Sequence, residues 1–300
     1  LRLHLHGGFM KRLSDFPFGF GVAAGTICAV FAFALAAHAA DHRGALTEEF
    51  HQTYAITPDG RVGLDNINGA VHISTWDRNE VKVDAIKSAN SKERLDEARI
   101  IVDAGKDYLS IRTQYPDHDH TFDSGSHDNP ASVEYTLTMP RTVRLDEIKL
   151  INGSLDITGT KGEVRASCIN GRLEAQDLSG QSQLSTVNGR IEAKFDEIPP
   201  SSIELKSVNG AVELTIPSDS NAEIAASTVS GGIENDFGLH VNHGFVGHDL
   251  SGELGNGGTH IRLQNVNGRI EIRHANDGRA LSPAKDLGHR DQDGDDEDEM

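Results

Sequence analysis

Aromatic residues are scarce in this sequence: Phe, Tyr and Trp make up 5% of 300 residues, with a single Trp. So thin a supply excludes a thick aromatic core, and 31 glycines favour slender layers joined by many turns. Basic residues are outnumbered, 28 against 46 acidic ones, and the net charge of -18 excludes nucleic acid and anionic membrane surfaces as partners. Cysteine is nearly absent. Cys28 lies inside an apolar run, and Gly25-Thr26-Ile27 before it does not form a lipoprotein acylation box. Once that run is removed Cys168 stands alone, so no intramolecular disulfide can form; its place in the repeats is otherwise taken by Thr186, Ser207 or Thr228, as suits a small tolerated side chain. The chain also lacks G-x-S-x-G, HExxH and any Cys–His arrangement.

The long apolar run is confined to Gly21–Ala37, which follows Lys11 and Arg12 and ends in Ala37-His38-Ala39. A charged segment, an apolar core and a small-x-small site make an export signal, with the mature chain expected to begin near Ala40. The core is close to membrane-spanning length. The cleavage motif and the polar Asp41-His42-Arg43-Gly44 after it favour removal over a retained span. Met10 reads as the true start and residues 1–9 as an upstream over-read, so 1–39 is set apart from the fold.

What the sequence has in abundance is one phrase. Asn68-Gly69, Asn152-Gly153, Asn170-Gly171, Asn188-Gly189, Asn209-Gly210, Ser230-Gly231 and Asn267-Gly268 recur, with Ser251-Gly252 as a degenerate member. From Gly153 through Gly171, Gly189 and Gly210 to Gly231 the steps are 18, 18, 21 and 21 residues. The residue before each Asn or Ser is β-branched: Ile67, Ile151, Ile169, Val187, Val208, Val229 and Val266. Two after each Gly stands Val71, Leu155, Leu173, Ile191, Val212, Ile233 or Ile270, followed by an acid in all but the first copy, which has His72. Period-2 alternation makes these short strands with one buried face, and Asn-Gly makes a tight reversal.

Each Asn-Gly alone is also a hairpin signal, so a β-hairpin meander remains an alternative. A second glycine corner, Gly162 and Gly180, recurs at half-phase. Together with the identity of residue types from copy to copy it favours a β-solenoid of 18–21-residue coils, on the order of 35 Å long at the strand spacing. In that solenoid Ile169, Val187, Val208 and Val229 are expected to form one interior column, with the Asn amides bonding in a ladder along a corner. The domains expected are an N-terminal β lobe with the first repeat (45–145), the repeats (146–274) and a disordered acidic tail (275–300). Within the lobe Glu80–Ala85, Tyr108–Arg112 and Val133–Met139 read as strands. Ser91–Ala104 reads as a helix capped by Ser91, and the whole as an antiparallel unit covering one end of the stack.

Two histidine-bearing stretches interrupt this order. His118, His120 and His127 sit among aspartates in a Gly/Ser/Pro-rich segment and are weak metal candidates whose spacing matches no defined site. His240, His243, His248 and His260 lie in a Gly-rich stretch that reads as a loose coil with surface histidines. The recurring Asp156, Glu174, Glu192, Glu213 and Glu234, with Arg172, Arg190 and Arg269, read as a solvated face.

Leu64–Asp77, the strand Val133–Pro140, and then KLINGSLDI, SCINGRLEA, STVNGRIEA, SVNGAVELTIP and STVSGGIEN resemble the bacterial β-strand-repeat family of unknown function labelled as adhesins, the DUF4097 type. The resemblance covers roughly Phe50–Arg273. It implies an exported, non-enzymatic solenoid-like protein and brings no catalytic or binding residues with it. The functional expectation is an adhesin-like scaffold or interaction module of the cell envelope, periplasmic or at the surface of a bacterium. It carries no cofactor and, after signal cleavage, no stable span; its partner is an envelope protein or a glycan. An envelope-stress regulatory protein is the alternative. A polysaccharide-acting β-helix enzyme is the remote one, because its chemistry needs carboxylates clustered non-repetitively.

Overall fold

The computed structural model describes residues 45–116 and 130–287. The chain enters with β1 (Leu46–Ala55), β2 (Arg61–Asn68), β3 (Val71–Trp76) and β4 (Glu80–Ala89). A short helix, α1 (Lys92–Glu97), leads to β5 (Arg99–Ala104), β6 (Tyr108–Gln114) and β7 (Ser132–Pro140). Strand pairs follow: β8 (Arg144–Asn152) with β9 (Leu155–Thr158), β10 (Val164–Asn170) with β11 (Leu173–Leu178), and β12 (Ser182–Asn188) with β13 (Ile191–Phe195). The next pairs are β14 (Ser202–Asn209) with β15 (Val212–Ile216), and β16 (Ala222–Ser230) with β17 (Ile233–Asn235). After β18 (Asn242–His243) and β19 (His248–Leu254) comes a last pair, β20 (Thr259–Asn267) with β21 (Ile270–His274), and then β22 (Ala284–Asp286).

These strands form two sheets. One runs β1-β4-β7-β3-β9-β11-β13-β15-β21-β17; the other runs β18-β19-β16-β20-β14-β12-β10-β8-β2-β6-β5, with β22 on β19. Every strand pair joined by Asn-Gly or Ser-Gly crosses from the second sheet to the first. Adjacent coils pair through parallel strands, as in Cys168↔Thr186 and Leu173↔Ile191. The strands flanking an Asn-Gly do not pair with each other. The protein is an all-β solenoid, and the hairpin meander is overturned.

Both ends are closed by laying a coil outside the next and stepping back. At one end β6 pairs parallel to β2 and β7 parallel to β3, so the β6/β7 coil lies beyond the first Asn-Gly coil although it follows it in sequence. Antiparallel β4, β1 and β5 complete that end. At the other, β20/β21 inserts between β14/β15 and β16/β17. Antiparallel β19 covers β16, and Phe237 and Leu239 are buried in the common core. The Ser251-Gly252 pair, expected as a degenerate corner, lies mid-strand in β19, where Leu239 packs against Gly252.

The helix expected over Ser91–Ala104 is shorter. The Ser91 side chain accepts from the Arg94 amide at 3.3 Å, but helix ends at Glu97. The β-branched Ile100, Ile101 and Val102 instead form β5 against β6.

The interior column also differs from expectation. Ile169, Val187, Val208 and Val229 are exposed, as are Ile151 and Val266. Alternation inward from the corner buries the residue two before each Asn or Ser: Cys168, Thr186, Ser207, Thr228 and Asn265. Leu184, Leu205 and Leu263 stand one step deeper, and Leu155, Leu173, Ile191, Val212 and Ile270 fill the opposite sheet. A β-branched side chain suits a pleated, half-buried surface as well as a core, so residue type alone did not reveal the facing.

Candidate functional site

The corner is held by three sets of bonds along the stack. Main-chain amides reach the next coil: Gly153 N donates to Asn170 O at 3.1 Å and Gly171 N to Asn188 O at 3.0 Å. The asparagine side chains form a ladder. Asn152 Nδ2 donates to Asn68 Oδ1 (2.8 Å), and Asn170→Asn152, Asn188→Asn170, Asn209→Asn188 and Asn267→Asn209 each repeat the contact at 2.9 Å. Inside the corner, small donors tether glycine carbonyls: Cys168 Sγ to Gly153 O (3.5 Å), Thr228 Oγ1 to Gly268 O (3.0 Å) and Asn265 Nδ2 to Gly210 O (2.7 Å). Glycine is required because the corners touch: a Cβ on Gly210 would overlap the carbonyl oxygen of Gly189. Gly180 stacks on Gly162 in the same way at the half-phase corner. Ser230-Gly231, on β16/β17, ends the row beside Asn267-Gly268.

Around the corner, on the β9-to-β17 sheet, the acids also meet in register. Asp156, Glu174, Glu192, Glu213, Glu271 and Glu234 follow one another, with His72 ahead of Asp156. Like charges one strand apart repel, and arginines offset them. Arg172 contacts Asp156 (3.1 Å) and Glu174 (3.4 Å), Arg190 bridges Glu192 and Glu213, and Arg269 and Arg273 enclose the nearly buried Glu271. The Glu213 hydrogen bond raises the Arg190 pKa further. His72 Nδ1 lies 3.0 Å from Asp156. Sequence order hid the adjacency of Glu213 and Glu271, because β21 inserts out of turn.

The remaining candidates are dispersed. Burial pushes the Cys168 thiol up to about 11, which makes it inert at neutral pH. His118, His120 and His127 lie outside the described residues. His243 and His248 stack edge-on with ring centroids 4.7 Å apart. They sit near a depression of 350 Å³ that His240, Asp249 and Asp286 help to line. His260 stands apart, 3.1 Å from Glu223. Among the described residues no three His, Cys, Asp or Glu side chains converge as a metal site. Unforeseen in the sequence are His51 and Lys87. His51 bonds Asp84 (2.7 Å) and Glu49 (3.1 Å), which raise its pKa. Burial alone would raise the Asp84 carboxyl, but hydrogen bonds from Lys82 and His51 outweigh it and hold the pKa low. Lys87, almost buried, pairs with Glu48 at 2.9 Å and donates to the Leu95 and Ala98 carbonyls at the end of α1.

Residues 142–273 match the model of the Toastrack DUF4097 family. The β2/β3 and β6/β7 coils thus lie outside the matched segment. No curated protein matches the chain. Among solved structures it is similar to a candidate cell adhesion protein of Clostridium sporogenes, at 12% identity and a TM-score of 0.43 over 76% of this chain and 100% of that one. It is also similar to a candidate adhesin of Bacteroides fragilis, at 13% identity and a TM-score of 0.31 over 76% and 97%. A candidate lipid-binding protein of Parabacteroides distasonis aligns at 12% identity and a TM-score of 0.26 over 75% and 96%.

Proposed function

We propose, with support from the match of residues 142–273 to the Toastrack DUF4097 family model, that this chain is an exported, non-catalytic interaction module of a bacterial cell envelope, an adhesin-like scaffold. The observation that carries the reading is the register of its exposed groups. At the corner and at the acid beside it most coils offer the same side chain at the same place, as in Asn170↔Asn188 and Glu174↔Glu192. Catalysis requires different groups converging on one reacting atom. A column of like groups instead suits a partner that makes the same weak contact many times, where linked contacts raise avidity. Export rests on Lys11, Arg12, the apolar Gly21–Ala37 and Ala37-His38-Ala39. No helix among the described residues is long and apolar enough to cross a membrane.

Cell fractionation with N-terminal sequencing tests the proposal. The expected product starts near Ala40 and leaves the cytoplasm, and protease treatment of intact cells separates periplasm from surface. An uncleaved cytoplasmic product refutes it.

A further inference from the structure

The exposed aliphatic column needs its own account. In spatial order Ile67, Ile151, Ile169, Val187, Val208, Val266 and Val229 occupy equivalent places on seven adjacent coils, set by the register of the Asn or Ser that follows each. From Ile151 onward they are 36% to 56% exposed. Every copy is Ile or Val, although water faces the position. The outward column two residues earlier drifts through Asp65, Lys149, Ser167, Ser185, Lys206, Gln264 and Ser227. Directly beside the aliphatic row runs the asparagine ladder. Each internal amide spends one N–H and one lone pair on its neighbours, which leaves one N–H and one lone pair per coil for a ligand. The surface is therefore an uncharged double row, aliphatic and amide, repeating at the strand spacing of roughly 4.8 Å.

We infer that this double row binds a neutral, extended, β-linked pyranose polymer lying along the stack, one sugar per coil. This rests on the interaction-module reading above and names its partner class. Such a chain repeats at close to the strand spacing, and its sugars present C–H faces to aliphatic side chains and hydroxyls to amides. The row is about 30 Å by 7 Å, on the order of 200 Å², well under the roughly 800 Å² per partner of a stable protein interface. The row by itself is thus too narrow to carry a protein interface and fits a narrow ligand. The absence of charge in the row matches a neutral polymer. An acyl chain would leave the amides without partners.

The test is calorimetric titration of the purified mature chain with cellohexaose and chitohexaose, and with the corresponding disaccharides. At least one hexaose is expected to bind, and its disaccharide at least tenfold more weakly. The double substitution Val187→Ser/Val208→Ser should lower hexaose affinity at least tenfold at an unchanged melting temperature, while Glu174→Gln on the other sheet leaves it unaltered. If the double variant melts lower, the isosteric Val187→Thr/Val208→Thr replaces it with the same expectation. No binding of either hexaose overturns the inference, as does wild-type affinity in a folded valine variant. Because purified protein is used, a negative result with correct export removes only this inference. Binding by a chain that proves cytoplasmic removes only the envelope reading.

Discussion

Replacing Gly210 by Ala tests whether close corner contact holds the coils. Gly210 has φ 143°, a conformation that costs an L side chain about 1–3 kcal/mol. The added Cβ would also overlap the carbonyl oxygen of Gly189 on the adjacent coil. That oxygen cannot recede freely, because Gly189 N is bonded onward to Asn209 O at 2.8 Å and Ser207 Oγ lies 3.5 Å from the oxygen itself. Relieving the overlap adds about 1–3 kcal/mol, the usual cost of overpacking. The sum is roughly 2–6 kcal/mol, a large share of the roughly 5–15 kcal/mol that stabilises a typical protein. With a urea dependence of about 3 kcal/mol per molar, a central loss of about 4 kcal/mol lowers the unfolding midpoint by about 1.3 M. Gly232 is the control. A Cβ there meets nothing within 4 Å, so Gly232→Ala should be neutral or stabilise by about 0.4–1 kcal/mol through the unfolded chain. Urea unfolding followed by far-ultraviolet circular dichroism reads both. A loss below about 1 kcal/mol for Gly210→Ala, or equal shifts for the two variants, refutes the reasoning.

Facing predicts a second contrast. Leu205→Asp places a charge in the core and abolishes folding, whereas Val208→Asp, on the exposed row, shifts stability by no more than about 1 kcal/mol; solubility and melting curves distinguish them. Asn188→Ala removes two ladder bonds, to Asn170 and Asn209, and should cost about 1 kcal/mol, because the freed amides reach water. Cys168 should resist a thiol reagent until the protein is denatured, and Cys168→Ser should fold normally, since Ser207 fills the equivalent place. His51 has a raised pKa, so its contribution is present below its unfolded value of about 6.5 and is lost as pH rises through the folded value. The melting difference between wild type and His51→Asn should therefore shrink from about pH 5 to about pH 8, and a difference that grows over that range contradicts the assignment.

Much of the architecture was legible in the spacing of Asn-Gly. Because glycine tolerates the corner backbone and asparagine bonds to its own kind one strand away, their recurrence favoured coils, corners and a ladder, and the parallel pairing of adjacent coils then excluded hairpins. That Cys168, Thr186, Ser207 and Thr228 share one phase of the repeat was legible too, but not that this phase faces inward. The facing of Ile169 and Val187 was not. Alternation tells which residues share a side but not which side is dry, and a β-branched residue serves both. The helix over Ser91–Ala104 failed for a related reason: Leu95 and Ala98 satisfy helical spacing, but β6 offered Ile100–Val102 an unpaired edge.

By itself the sequence determined a repeating β-strand unit and its corner chemistry, because both depend on residues close together in the chain. Only the tertiary structure decided the order of the coils, with β6/β7 laid beyond β2/β3 and β20/β21 inserted ahead of β16/β17. Parallel strands of similar phrases can pair in more than one order. The choice is made by the ends, where β1, β4 and β5 close one edge, and β19, Phe237 and Leu239 cover the other. That order brings Glu213 beside Glu271 and Val208 beside Val266, and so composes the surfaces that a partner would meet.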